Sequence, residues 1–510
     1  MIKQLKNCLL ILLLSFSSVL IAVYPLISGG TKAAIYSFEP EVVYISNALK
    51  YTLTHEIIYS DHPGTPAIVL VAKSFIPLRL YAKYVLHTPF LNWTIRNQAW
   101  FYFYSRLFQA GIFFLALLLY LYSIRRVSGS LKTVFFAWLA LMSFSYFLYL
   151  GPIIQSEPTS FLIISFWFIF FIPFMSKPSL KYLIPLAFLS GLSVSNKFTN
   201  ISYLLASLLF AFSLPAKKIS RRFYYLLVTG LLIVTGFIFG IWPVRNNYPF
   251  LINWIIRLAT HSAVHGGGSP EIFSPAMYFN SLVGFAQSEK GTFLVIAFAG
   301  IALIYSLVRK RITINHPLVL FFVSLLAWTL IMAKYPLNHY QTTNVLGFII
   351  TVSVYFQVSK KYLRVIIVSF LLLIAAVNSS NYLKDNLREV KMTLALENFI
   401  NDHQAKIATV WEWGKSLDFS LLHSRGWIGK TYSDFLEGYK PHLYDMTADL
   451  KGINLATGDT QPVFSVCWDQ LYIQGSELPR FLNLYPDRTL TSMPIPESKN
   501  MFLISSTHCL

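Results

Sequence analysis

The sequence predicts an all-α polytopic membrane protein of about eleven transmembrane helices, with external amphipathic helices and a soluble C-terminal domain. Three observations predict it. Hydrophobic residues make up 55% of the 510-residue chain and charged residues only 12%, against ~25% charged in an ordinary soluble protein. A soluble chain of that balance could not cover its core with polar surface, whereas lipid can. Long apolar runs follow one another along most of the chain. Finally, the Lys and Arg residues behind the formal net charge of +19 fall in short clusters between those runs. That is the pattern of cytoplasmic loops, so the charge reports topology and argues against a nucleic-acid partner.

The apolar runs lie at 8–28, 101–123, 133–150, 158–175, 182–195, 200–214, 223–241, 291–308, 317–333, 343–358 and 362–377. No small-x-small cleavage site follows the first, which therefore reads as an uncleaved span. With Lys3 and Lys6 inside, the clusters Arg125–Arg126, Lys177 with Lys181, Lys217 through Arg222, Arg309–Arg311 and Lys360 through Arg364 all fall on the same side. This holds only if 182–214 is two short spans divided at "SNKFTN"; one long helix would place "PAKKISRR" outside. The chain then divides into a membrane domain, 1–377, and an external C-terminal domain, 378–510, of α/β or α+β type and ordinary domain size. Within the membrane domain, 29–100 and 242–290 form large external loops. Cys467 and Cys509 lie in the tail, where a disulfide is permitted.

The first loop concentrates what charge the chain has: Glu39, Glu41, Glu56 and Asp61, with His55 and His62. Val42, Ile45, Leu49 and Leu53 recur at helical spacing, and Pro40 stands where a first turn begins, which predicts an amphipathic helix opening at Glu39–Glu41. The next apolar piece, "TPAIVLVAKSFIPL", is shorter than a span and carries Lys73; an interfacial helix fits it. A carboxylate here can serve as a general base, help bind a divalent metal, or simply favour a helix N-terminus by ~0.3–1 kcal/mol. Two carboxylates followed by the acid–His pair of "SDHPGTP" move the balance toward chemistry.

These residues carry a resemblance. A first span, an external loop with an acidic motif and amphipathic helix, and "HPGTP" leading into a second interfacial helix resemble the GT-C glycosyltransferases, in particular the protein O-mannosyltransferases and the lipid A aminoarabinose transferase-like family. The family's acidic pair is replaced here by "EPE". "QSEPTSF" (155–161), "GLSVSNKFTN" (191–200) and "AKYPLNHYQTTN" (333–344) resemble later family motifs in the same order. The resemblance covers about residues 8–377 and implies Glu39, Glu41 and Asp61 as the catalytic carboxylates. It implies His62, Lys197, Arg245, Lys334, His339 and Tyr340 for the donor phosphate or substrate, and Glu157 near an acceptor or metal.

Each of these has a structural alternative. Lys197 at a span end can snorkel, Arg245 beside Trp242 can anchor the interface, and Glu157 before Pro158 can cap a helix. Lys334 and His339 run against the topology bias if external, which favours a binding role. His261 and His265 stand at i, i+4, a metal-compatible spacing, but the three glycines that follow suit a mobile loop. The implied activity is inverting transfer of a sugar from a polyprenyl-phosphate-linked donor to a hydroxyl of a lipid, glycan or protein acceptor on the extracytoplasmic face of the membrane. Membrane lipids are the other partner; a divalent metal at the carboxylates is the one cofactor the residues allow. Two other readings stand beside it: a transporter or flippase of lipid-linked glycans, and a non-catalytic glycan-assembly protein.

Overall fold

The computed structural model describes residues 2–32, 39–57, 64–215, 218–249, 251–253, 275–332, 338–356 and 361–402, and the shorter elements of the tail named below. Each apolar run of the sequence carries a helix. In chain order these are α1 (Ile2–Gly29), α2 (Glu39–Thr54), α3 (Thr65–Ser74), α4 (Ile76–Tyr84), α5 (Phe90–Arg96), α6 (Gln98–Ser128) and α7 (Leu131–Met142). They continue with α8 (Ser156–Ser176), α9 (Leu180–Asn196), α10 (Ile201–Phe210), α11 (Ile219–Ile241), α12 (Pro275–Ser288), α13 (Lys290–Val308), α14 (Pro317–Met332), α15 (Thr342–Tyr355) and α16 (Lys361–Asp402). Among the described residues, 7 helical stretches are long and apolar enough to cross a membrane, and three shorter apolar helices accompany them. The protein is an integral membrane protein by this measure. Thr65–Tyr84 qualifies by length with the lowest hydropathy of the seven, 1.3.

The chain forms two compact units. One comprises Met1–Val23, Leu53–Val71 and Leu107–Tyr382; the other comprises Tyr24–Thr52, Ala72–Arg106 and Leu383–Leu510. In the first unit, α9 and α11 approach until their backbones touch. A Cβ added at Gly191 would strike the carbonyl of Ile233, one at Gly236 the carbonyl of Phe188, and one at Gly240 the side chain of Ser195. Gly236 and Gly240 stand four apart on α11, the small-xxx-small spacing that lets helices meet closely in lipid, where no hydrophobic force drives them together.

An aromatic core holds the next layer. Trp167 of α8 is fully buried among Phe171, Tyr203, Phe210 and Phe321. Its indole N–H donates to Ser190 Oγ (3.0 Å), which is also paired with Ser207 (2.7 Å). Tyr203 donates to the Thr343 carbonyl (2.6 Å) and Tyr120 to that of Leu346 (2.7 Å). These two buried phenols find partners on a neighbouring helix, as a low-dielectric interior demands.

In the second unit the tail contributes a seven-stranded sheet of order β4-β3-β2-β1-β5-β7-β6. Its strands are β1 (Ile407–Thr409), β2 (Tyr444–Met446), β3 (Lys451–Asn454), β4 (Thr460–Pro462), β5 (Gln470–Gln474), β6 (Leu490–Pro494) and β7 (Met501–Ser506), with a short helix at Leu478–Leu484. β1 lies parallel to both β2 and β5, and every other pair is antiparallel. The long helix α16 leads into it, its Val390 packed with Leu26 and against Phe103 and Leu394.

The glycine contacts predict that Gly191→Val or Gly236→Val forces α9 and α11 apart. A cost of at least ~1–3 kcal/mol is expected from overpacking against backbone, seen as a lowered unfolding temperature and loss of the monodisperse peak in detergent, while Gly230→Val, with open space at its Cβ, leaves both unchanged.

Candidate functional site

The site of the first unit grows from the break at "SNKFTN". Helix α9 ends at Asn196, Lys197 is extended (φ −157°, ψ 127°), and Phe198–Asn200 makes a single 3-10 turn before α10 begins. Such a break frees backbone groups that must find other partners. One asparagine and one backbone amide meet carbonyls at the break, and the side chains of Asn196 and Asn200 tie it to its neighbours. Asn196 donates from Nδ2 to the Ser156 carbonyl (2.7 Å) and to Ser160 Oγ (2.8 Å). Its Oδ1 accepts from the Ala67 amide (3.0 Å), and its own carbonyl accepts from Gly64 (2.9 Å). Asn200 donates to Ser160 Oγ (3.0 Å) and to the Ser193 carbonyl (2.8 Å), and accepts from Thr343 Oγ1 (2.8 Å). Ser202 donates to Asn344 Oδ1 (2.8 Å).

Four stretches far apart in sequence are thereby tied together: the Gly-Thr-Pro end of "HPGTP", "QSEPTSF", "SNKFTN" and "HYQTTN". At their meeting point Glu157 and Lys197 form a buried ion pair. The Lys197 ammonium also stands 4.9 Å above the Tyr340 ring. His339 lies within electrostatic reach of Glu157 and sits between rings, its centroid 4.2 Å from Tyr340 and 5.5 Å from Tyr146. Tyr146 donates to Gln155 Oε1 (2.7 Å), and Gln109 donates to the Gln155 carbonyl (3.2 Å). Burial pulls the Lys197 ammonium below its ordinary range, and the Glu157 carboxylate opposes that pull. The arrangement is a nearly neutral buried pair roofed by a half-buried His–Tyr face. It can hold an aromatic and imidazole surface in place; it has little spare positive charge of its own.

The second unit holds another buried pair. Glu41, in the first turn of α2, accepts from Arg106 of α6 through both oxygens, Nε to Oε1 at 2.8 Å and Nη2 to Oε2 at 2.7 Å. Both side chains are buried, and the guanidinium lies 5.8 Å from the Tyr102 ring centre. This two-pronged geometry is the strongest form of the carboxylate–arginine contact. It ties the start of α2 to α6, while Arg79 donates to the Thr52 carbonyl (3.1 Å) at the other end of α2.

Of the residues singled out from sequence, Glu157, Lys197, His339 and Tyr340 come together, and Glu41 stands in its own ion pair. Arg245 is exposed on a 3-10 turn, its guanidinium 5.7 Å from the Trp242 ring centre. Glu39 occupies the first helical position of α2, but its side chain lies outside the described residues, as do Asp61, His62, His261, His265 and Lys334. Among the described residues no cluster of three His, Cys, Asp or Glu side chains could hold a metal ion.

Three groups escaped the sequence reading. Arg106 sits inside an apolar run, and an arginine there needs a buried partner, which is a legible signal. Asn196 and Asn200 flank the break. Glu289 directly precedes the apolar run of α13 and is 1% exposed. It accepts from the Ser145 amide (3.2 Å) and from the Ser145 hydroxyl. Burial raises its carboxyl to about 7, with the two Ser145 hydrogen bonds pulling the other way.

No family profile matches this chain, and no curated protein matches it in sequence. Its fold is similar to solved structures of ArnT from Cupriavidus metallidurans. The apo structure superposes with a TM-score of 0.54 at 11% identity, covering 96% of this chain and 97% of the other. ArnT bound to undecaprenyl phosphate gives 0.52 at 11% identity over the same shares. ArnT is the lipid A aminoarabinose transferase, a GT-C glycosyltransferase, so the resemblance read from the motifs extends to the fold.

Removing one member of a buried pair strands the other charge, at a cost of about 3–5 kcal/mol. Glu157→Gln should therefore lower the unfolding temperature markedly, and Glu157→Gln with Lys197→Met should recover most of the loss; equal instability of the double variant would refute the pairing argument. For Glu289 the folded carboxyl titrates above its unfolded value of 4.5, so the folded state holds a proton that the unfolded state has lost. Stability should fall as pH rises from about 4.5 to about 7, by up to about 3 kcal/mol, and Glu289→Gln should flatten that slope in thermal unfolding against pH.

Proposed function

We propose that the protein is an inverting glycosyltransferase that moves a sugar from a polyprenyl-phosphate-linked donor to an acceptor hydroxyl at the extracytoplasmic face of the membrane. The observation that carries this reading is the convergence of four motifs on the Glu157–Lys197 pair in a chain with the fold of ArnT. That fold is also seen with undecaprenyl phosphate bound. A donor of that class has an apolar tail that stays in the bilayer and a charged head that must leave it, which suits an integral membrane enzyme and removes the need for a nucleotide-binding loop. In this reading the chain crosses the membrane eleven times, and residues 378–510 lie outside as a separate domain.

The roles divide by what the two buried ion pairs already engage. Lys197 is committed to Glu157, so it acts as a positioning residue that holds Tyr340 and His339. The donor phosphate is met by His339, Arg245 and Lys334, cations that the topology leaves outside. Asp61 and His62 belong to the motif whose Gly64–Ala67 end is bonded to Asn196, and serve the substrate there. Both oxygens of Glu41 are taken by Arg106, so Glu41 fixes the first turn of α2. Glu39 is then the general base, taking the proton from the acceptor hydroxyl as it attacks the anomeric carbon on the face opposite the phosphate. The C–O bond to the phosphate breaks, and polyprenyl phosphate leaves with the electron pair.

The test is sugar release and transfer from a panel of radiolabelled polyprenyl-phosphate sugars by the purified protein. Wild type should turn over at least one donor. Glu39→Gln should lower kcat by about 10²–10⁴-fold with KM little changed, while Glu41→Gln should act through the amount of folded protein. Well-folded wild type that turns over no donor would overturn the transferase reading and favour transport or glycan assembly.

A further inference from the structure

Between Asp61 and Glu157 the sequence contains no carboxylate. The first half of that stretch, placed outside by the topology, nevertheless carries Lys73, Arg79, Lys83 and Arg96. External cations run against the bias that keeps Lys and Arg in the cytoplasm, so a surface that collects them calls for a reason. The structure shows where they stand. Helix α4 buries one side, Ala82, with Phe75 just ahead of it packed on Phe90 and Phe101 at 6.4 and 4.6 Å between ring centres. Its opposite side is open. Ile76, Leu80 and Tyr84 repeat at helical spacing along it, with Leu80 49% and Tyr84 62% exposed.

Arg79 and Lys83 stand among these residues on α4, and Lys73 is in the last turn of α3 just before it. Lys73, Arg79 and Lys83 are all exposed, and the Lys83 ammonium lies 4.9 Å from the Tyr84 ring centre. Arg79 is partly engaged, through its bond to the Thr52 carbonyl. A purely apolar face would belong in the hydrocarbon, and a purely cationic one in water. A face that alternates Leu, Ile and Tyr with Lys suits the boundary between them, where aromatic rings settle at headgroup level and long ammonium chains reach toward phosphate.

We infer that the exposed face of α4, together with Lys73 in the last turn of α3 just before it, is a docking surface for anionic phospholipid headgroups of the external leaflet, with Lys73 and Lys83 as the phosphate contacts and Ile76, Leu80 and Tyr84 seated among the upper acyl carbons. The absence of any carboxylate over this stretch supplies the charge complementarity. The apolar residues between the cations favour a lipid over an acidic protein. The surface does not depend on which sugar chemistry the protein performs, and its test reads lipid rather than turnover.

The full-length protein is reconstituted in nanodiscs of phosphatidylcholine with a minority of phosphatidylglycerol, and the lipids retained on extraction are counted by native mass spectrometry. Wild type should retain phosphatidylglycerol above its share in the disc, and added salt should erode that excess as exposed charges are screened. Lys73→Glu with Lys83→Glu should reduce the excess, each cation being worth on the order of fivefold, and Lys73→Arg with Lys83→Arg should keep it. Circular dichroism and size-exclusion profiles of all three proteins verify folding. Retention that matches the bulk composition, or that survives both charge reversals, overturns the inference. So does loss of retention in the Arg variants, because the charge would then not be its cause.

Discussion

A buried charge has to be paired, and the Glu157–Lys197 contact is where that requirement organises the first unit. Lys197 can be buried only because α9 stops at Asn196 and the chain runs extended for one residue, turning the ammonium toward α8. At that stop the Ser193 carbonyl accepts from Asn200 Nδ2 and the Asn196 carbonyl from the Gly64 amide, while the two asparagine side chains bond on to α8, to the start of α3 and to α15. Each feature needs the others. Without the break there is no inward-facing lysine, and without these bonds the carbonyls at the break would lose partners in a low-dielectric interior. The ion pair costs desolvation energy that a hydrophobic pair would avoid, so its retention points to specificity of arrangement rather than to raw stability.

The same logic runs in the second unit with different consequences. Glu41 and Arg106 satisfy one another through two parallel hydrogen bonds, which fix the rotation of α2 as well as its position. Glu39 lies two residues away, about 200° around the helix at ~100° per residue. A helix held rigidly at Glu41 is also held at Glu39. Preorganisation of this kind is what the role proposed for Glu39 would need, since a group misplaced by ~1 Å loses much of its effect.

Much of this was legible in the sequence, for physical reasons. Helices in lipid must be apolar and continuous, so every apolar run became a helix, and the charge clusters separated α9 from α10 correctly at "SNKFTN". The polar motifs were recognisable because polar residues are sparse enough here for Glu157, Lys197 and His339 to stand out. Partnership was not legible. Arg106 lies 65 residues from Glu41, and nothing local announces the pair. Composition likewise hid the close approach of α9 and α11, which depends on Gly191 facing the backbone of Ile233 and Phe237 and Gly236 facing that of Phe188 and Leu192. The 133–150 run illustrates the opposite failure. Uniform apolarity concealed the end of α7 at Met142 and the following 3-10 turn at Phe147–Leu150.

That broken run places Ser145 where its amide and hydroxyl both meet Glu289. A carboxyl held near neutrality by burial differs in kind from the two ion pairs. Burial penalises its charged form, and the two Ser145 hydrogen bonds offset only part of that penalty. Its pairing with Ser145 is tolerant of either protonation state, because the amide donates to the anion and the hydroxyl can accept from the acid. Glu289 can change state within the physiological range. Through it, pH acts on the packing around α7 and α13, by the cost of burying its charge.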